Sequence, residues 1–150
     1  MLLRAALAAF LLLPLVAAPA SAQELPPLAD WSKGPEAKTK MDYLYTRCAA
    51  FYLALIKYDG ISYAQPELEH MKKTAVAFAS TAARARAARE GGKPEDYVAP
   101  ISAQVETLAD QYGGRVAAAR QKPGRAVDTD AMLAQDDAVC RSHAGTPLKT

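Results

Sequence analysis

Cysteine is nearly absent: Cys48 and Cys140 are the only two in 150 residues. A Cys-x-x-Cys redox motif, a Cys-x-x-Cys-His haem attachment site and a four-cysteine zinc site are all excluded. Histidine is as scarce, with only His70 and His143, which leaves a poor ligand set for zinc. There is no Gly-x-Ser-x-Gly elbow and no glycine-rich phosphate loop, so the common nucleophile and nucleotide signatures are missing. Runs of alternating β-branched residues are missing too, which argues against a sheet. Charge of one sign is not in excess either: 18 Lys+Arg face 16 Asp+Glu. That balance argues against a nucleic-acid partner.

What the chain does have begins at its N-terminus. Arg4 precedes a charge-free Leu/Ala-rich run from Ala5 to Ala20, and Ala20-Ser21-Ala22 has the small-x-small pattern of a cleavage site. Residues 1–22 are therefore expected to be an export signal, with the mature chain starting at Gln23. The rival, an uncleaved membrane anchor, is disfavoured because the run is short of the roughly 20 residues a span needs and holds Pro14 and Pro19. Export implies an oxidising compartment, the periplasm or the exterior, where two thiols pair.

The rest is long enough for one domain with its own core. Residues 23–35 carry three prolines and a glycine and are expected to form an extended leader, which Trp31 is placed to dock. Residues 36–145 read as the domain and 146–150 as a disordered tail. From Pro35, a helix is expected over 36–58, with Met41, Leu44, Tyr45, Cys48, Phe51, Tyr52, Leu55 and Ile56 at three- and four-residue steps. Asp59-Gly60 should end it through a left-handed turn. A second helix is expected from Pro66 to about Glu90, and a third from Pro94. Pro100 should kink or restart the third, and Gly113-Gly114 should mark a break or a close helix crossing. A last helix, capped by Asp128 or Thr129, should run to about His143. The expected fold is all-α: an up-down bundle of about four helices, with Cys48 on the first and Cys140 on the last joined as a disulfide.

Few side chains suggest chemistry. Met41 or Met71 with His70 or His143 could serve as axial ligands in a bundle core, but methionine is also an ordinary gap filler. Glu67-x-x-His70 occurs once, whereas helical di-metal sites need it twice. Asp136-Asp137 is the remaining acidic pair. No catalytic constellation emerges, so the chain is expected not to be an enzyme, and no cofactor is assigned. Basic side chains gather on helix two, where steps of 100° per residue spread Arg84, Arg86 and Arg89 around the helix. They read as a solvated face or as a patch for an acidic partner. Tyr43 and Tyr58 lie off the core stripe and, with these arginines, make the candidate interaction surface.

The functional expectation is a non-enzymatic accessory protein that binds another periplasmic or envelope protein, with a stress-chaperone role as a sub-case. The alternative is a carrier of haem, metal or an apolar ligand in the bundle core. Membrane contact is expected only through the signal segment if it stays uncleaved.

Overall fold

The computed structural model describes residues 25–145; the expected signal segment, 1–22, and the expected tail, 146–150, lie outside the described residues. The elements are α1 (Leu28–Trp31), a 3-10 turn (Pro35–Lys38), α2 (Met41–Asp59), a second 3-10 turn (Gly60–Ser62), α3 (Gln65–Glu90), α4 (Pro94–Ala119), α5 (Ala126–Thr129) and α6 (Ala131–His143). The four long helices, α2, α3, α4 and α6, form a helical bundle, and no strand occurs among the described residues.

Helix α2 is the centre. It buries 13 of its 19 residues, including Ala49, Ala50 and Ala54 on flanks outside the Leu44–Cys48–Phe51–Leu55 stripe. Those alanines let neighbouring helices approach closely, so α2 is covered on several sides at once. Helix α3, in contrast, buries only Met71, Phe78, Ala82, Ala83 and Ala87. Its strong helix formers supply propensity, and one narrow stripe supplies the packing. α3 and α4 pack on α2 and on each other.

Local chemistry sets most of the boundaries. The Glu67 carboxylate accepts from the Ala64 N–H at 2.9 Å, and Asp96 accepts from the Lys93 N–H at 3.0 Å. With Pro66 and Pro94 in the first turns, α3 and α4 begin where the sequence predicts. Gly91, at φ 86°, closes α3 with its N–H on the Ala87 carbonyl.

Several expectations need correction. The first long helix starts at Met41, not at 36: Pro35–Lys38 is a 3-10 turn, and Lys40 at φ −120°, ψ 46° breaks from the helix. Before Met41 only Ala37 is buried in that turn, so no apolar stripe holds it in helical register with α2. Gly60 does not turn left-handed. At φ −53° it stays right-handed and leads straight into the second 3-10 turn. Helix α4 neither restarts at Pro100 nor breaks at Gly113-Gly114. Pro100 is exposed, where water can serve the carbonyl that its missing N–H leaves free. At Gly113 the close crossing holds: a Cβ there would stand 2.6 Å from the Tyr58 ring. The cap of α6 is Asp130, not Asp128 or Thr129; its side chain accepts from the N–H groups of Met132 and Leu133, both at 3.0 Å.

Helix α6 lies along α2. Tyr45 meets His143 edge-on, Cys48 bonds to Cys140, and the Tyr52 hydroxyl faces Asp137. Numbers rise on one helix as they fall on the other, so the two are antiparallel. The disulfide expected from the sequence is present, with Cα atoms 5.4 Å apart and both cysteines fully buried. It joins the first and last long helices and suits an oxidising environment. Among the described residues, no helix is long and apolar enough to cross a membrane.

Candidate functional site

Three buried carboxylates organise the interior. Asp136 on α6 accepts from the Leu28 N–H at 2.7 Å through one oxygen, and from Arg47 at 3.0 Å and the Tyr112 hydroxyl through the other. Arg47 has no exposed surface, and it also donates to Tyr112 and to the Pro26 carbonyl. This cluster joins α2, α4 and α6 and holds the backbone of Pro26 and Leu28 against them. The leader therefore differs from the extended segment expected. Leu28–Trp31 is a helical turn, Leu28 is fully buried, and the docking comes from Leu28 and Asp136 as well as from Trp31, whose ring stands 5.0 Å from Tyr43.

The second carboxylate, Asp59, accepts from the Ala126 N–H at 2.8 Å and from Ser62, and pairs with Arg120 at 3.3 Å. It ties the α4–α5 connection to the end of α2. The third is Asp42, 2% exposed, which receives Arg86 at 3.0 Å and Arg89 at 2.7 Å. Burial pushes its carboxyl up, but hydrogen bonds from Arg89 and Arg86 outweigh this and hold it below the usual carboxylate range.

These clusters pair their charges internally and serve packing, with only the Arg47 Nη1 among their buried side-chain atoms left without a hydrogen-bond partner. The open feature lies elsewhere. Helices α3 and α6 both rest on α2 and make little contact with each other. The gap between them is a trough made of two grooves of about 530 and 600 Å³ that share His70, Thr74 and Ala144. On α3, the lining residues follow one face in steps of three and four, from Glu67 through Thr74 to Arg84. Tyr45, Tyr52 and Leu55 of α2, with Met71 and Phe78 of α3, form its apolar floor.

Polar groups are concentrated at one end. Asp137 pairs with Arg141 at 2.8 Å, and Arg125 pairs with Asp128 at 2.7 Å and lies over the Tyr63 ring. Burial raises the Asp137 carboxyl above the usual range despite Arg141. Burial, reinforced by Asp137, pushes the Tyr52 phenol up to about 12. The Tyr63 hydroxyl is buried without a hydrogen-bond partner, and burial drives it upward too. The two phenols stay protonated near neutral pH and act as hydrogen-bonding groups.

The structure separates the five residues of the candidate interaction surface. Tyr43, Arg86 and Arg89 line one shallow hollow with Asp42. Arg86 and Arg89 converge there instead of fanning out. Tyr58 sits against α4, donating to Asp110 at 2.7 Å. Arg84 alone borders the trough. Of the ligand candidates, His70, Met71 and His143 line the trough, while Met41 stands apart at the start of α2. Met71 is 6% exposed in the core and His70 is exposed on the rim, so they do not enclose a slot for a haem. No group of three His, Cys, Asp or Glu able to hold a metal ion occurs among the described residues.

Sequence reasoning missed Arg47, Asp42 and Asp59 as interior residues. For Arg47 a signal existed: it lies three residues after Leu44 and four before Phe51, on the core stripe itself.

Fold and site together define a disulfide-stapled helical bundle with an open apolar trough. Comparisons with family models, with curated proteins and with solved structures found no match to this chain.

Proposed function

We propose that the chain is an exported, non-enzymatic accessory protein of the bacterial envelope that works by binding another protein through the trough between α3 and α6. The observation that carries this reading is the pair of grooves between α3 and α6, about 530 and 600 Å³, which stand over a largely buried floor of Tyr45, Tyr52, Leu55, Met71 and Phe78. An apolar surface rimmed by charges of both signs is the ordinary anatomy of a protein interface. Export is supported by the N-terminal pattern of Arg4, the apolar run and Ala20-Ser21-Ala22, together with the buried disulfide. A stress-chaperone role is a sub-case in which the trough receives unfolded segments.

The test is chemical cross-linking of the full exported chain in intact cells, with Thr74→Trp for comparison. Thr74 lines both grooves, and a Trp there fills the trough without entering the core. A partner captured by the natural chain and lost with the variant is expected. Equal capture by both, or accumulation of the chain in the cytoplasm, would overturn the reading.

The second reading is a carrier of an apolar small molecule, favoured by the groove volume of about 530 Å³, within the range of ligand sites. Mass spectrometry of an organic extract of the purified protein tests it. One stoichiometric compound supports the carrier, and a clean extract removes it.

A further inference from the structure

We infer that the trough receives a single amphipathic α-helix of its partner, laid with its N-terminus at the Glu67–Asp137 end and its C-terminus at the Arg84 end. The inference rests on the reading of the trough as a protein-docking surface and specifies what docks.

Shape is the first argument. On α3 the lining runs from Glu67 to Arg84, which at 1.5 Å per residue is about 26 Å. That is the length of about 17 residues of helix, or nearly five turns. The trough is a gap between two helices lying on a third, the position that one more helix fills in a bundle.

Backbone chemistry is the second. The walls are α3 and α6, whose main-chain groups are spent on their own helical bonds. They offer no edge to an extended peptide, which would lay unpaired N–H and C=O groups over Tyr45, Tyr52 and Phe78. A helix closes its own hydrogen bonds and presents only side chains, as in helix-in-groove recognition.

Charge sets the direction. At one end the carboxylates Glu67, Asp128 and Asp137 face the guanidinium groups of Arg125 and Arg141, which leaves an excess of negative charge. At the other end stands Arg84, hydrogen-bonded to Thr81, with no carboxylate among the described lining residues. A helix carries partial positive charge at its N-terminus and partial negative charge at its C-terminus. The favourable placement is N-terminus to the acidic end, which runs the partner parallel to α3 and antiparallel to α2.

The experiment places the photo-cross-linker benzoylphenylalanine at Ala134, near the acidic end, or at Ala77, towards Arg84. Both are exposed trough residues. A control carries it at Ala103, exposed on α4. The full chain is irradiated in cells and the joined peptides are sequenced. Both trough positions should capture one partner segment with apolar residues at three- and four-residue spacing. Ala134 should capture the N-terminal part and Ala77 the C-terminal part. Arg84→Glu should lower capture at Ala77 by up to about fivefold, the scale of one charge at a helix end.

Capture of a segment with alternating contacts, of a lipid, or of a second copy of this chain would overturn the inference. So would reversed order of the two attachment points. Capture only from Ala103 would overturn it while leaving protein binding elsewhere on the bundle in place. Capture from no position would overturn both.

Discussion

Replacing Asp136 by Ala should be among the most damaging single changes in this protein. The side chain is fully buried and satisfies three donors: the Leu28 N–H, Arg47 and the Tyr112 hydroxyl. Its removal leaves the Arg47 guanidinium, itself with no exposed surface, as an uncompensated charge in the core. Breaking a buried pair in this way costs about 3–5 kcal/mol. The orphaned Leu28 N–H adds about 1 kcal/mol or more. Against a domain stability of about 5–15 kcal/mol, this is at least about a quarter of the total. Urea unfolding followed by helical circular dichroism, at pH 7 with the disulfide intact, reads the loss. With a slope of about 2 kcal/mol per molar, the midpoint should fall by roughly 2–3 M. The Arg47→Met, Asp136→Leu double variant should be much milder than Asp136→Ala, because no charge is left unpaired. It should not reach the natural stability, since Tyr112, Leu28 and Pro26 still lose partners. A loss below about 1 kcal/mol for Asp136→Ala would refute the reasoning, since a buried carboxylate that neutralises Arg47 cannot be dispensable.

Denatured, unreduced protein should show no free thiol, and reduction should lower stability by about 4–5 kcal/mol for a closed loop of this size, the cysteines being 92 residues apart. Gly114→Ala should stabilise by about 0.5–1 kcal/mol, because nothing stands within 4 Å of the added methyl. Gly113→Ala should fall at least about 1 kcal/mol below Gly114→Ala, because the helical gain is cancelled by displacing Tyr58 from Asp110; equal thermal shifts would refute the close crossing. Asp42 has a lowered folded-state value, so its contribution is present above the unfolded carboxylate range and lost as pH falls through the folded one. Asp42→Asn should therefore cost stability at pH 5 to 7, with the difference from the natural chain shrinking below about pH 4. Asp137 is shifted the other way, so its contribution is full at low pH and is lost as pH rises through its raised folded value. Asp137→Asn should gain relative stability at neutral pH and none at pH 3, as paired denaturation curves would show.

Much of this protein is local and therefore legible from the sequence alone. Periodicity, Pro66 and Pro94 in first turns and the carboxylates of Glu67 and Asp96 are short-range signals, and they place α3 and α4 correctly. The disulfide was legible because only one pairing exists and both cysteines fall on apolar faces. The bundle follows from the helices and the absence of strand patterns. Where two local rules competed at Pro100 and at Gly113-Gly114, the sequence left the choice open. Exposure at Pro100 and the Tyr58 ring at Gly113 decided it. The rest was beyond local reasoning because the partners are remote. Arg47 meets Asp136 across 89 positions and Arg86 meets Asp42 across 44, so charges that look like solvated surface become the interior. The trough is of the same kind. Each helix carries its own apolar stripe in the sequence, but only the way α3 and α6 share α2 decides where a groove is left between them.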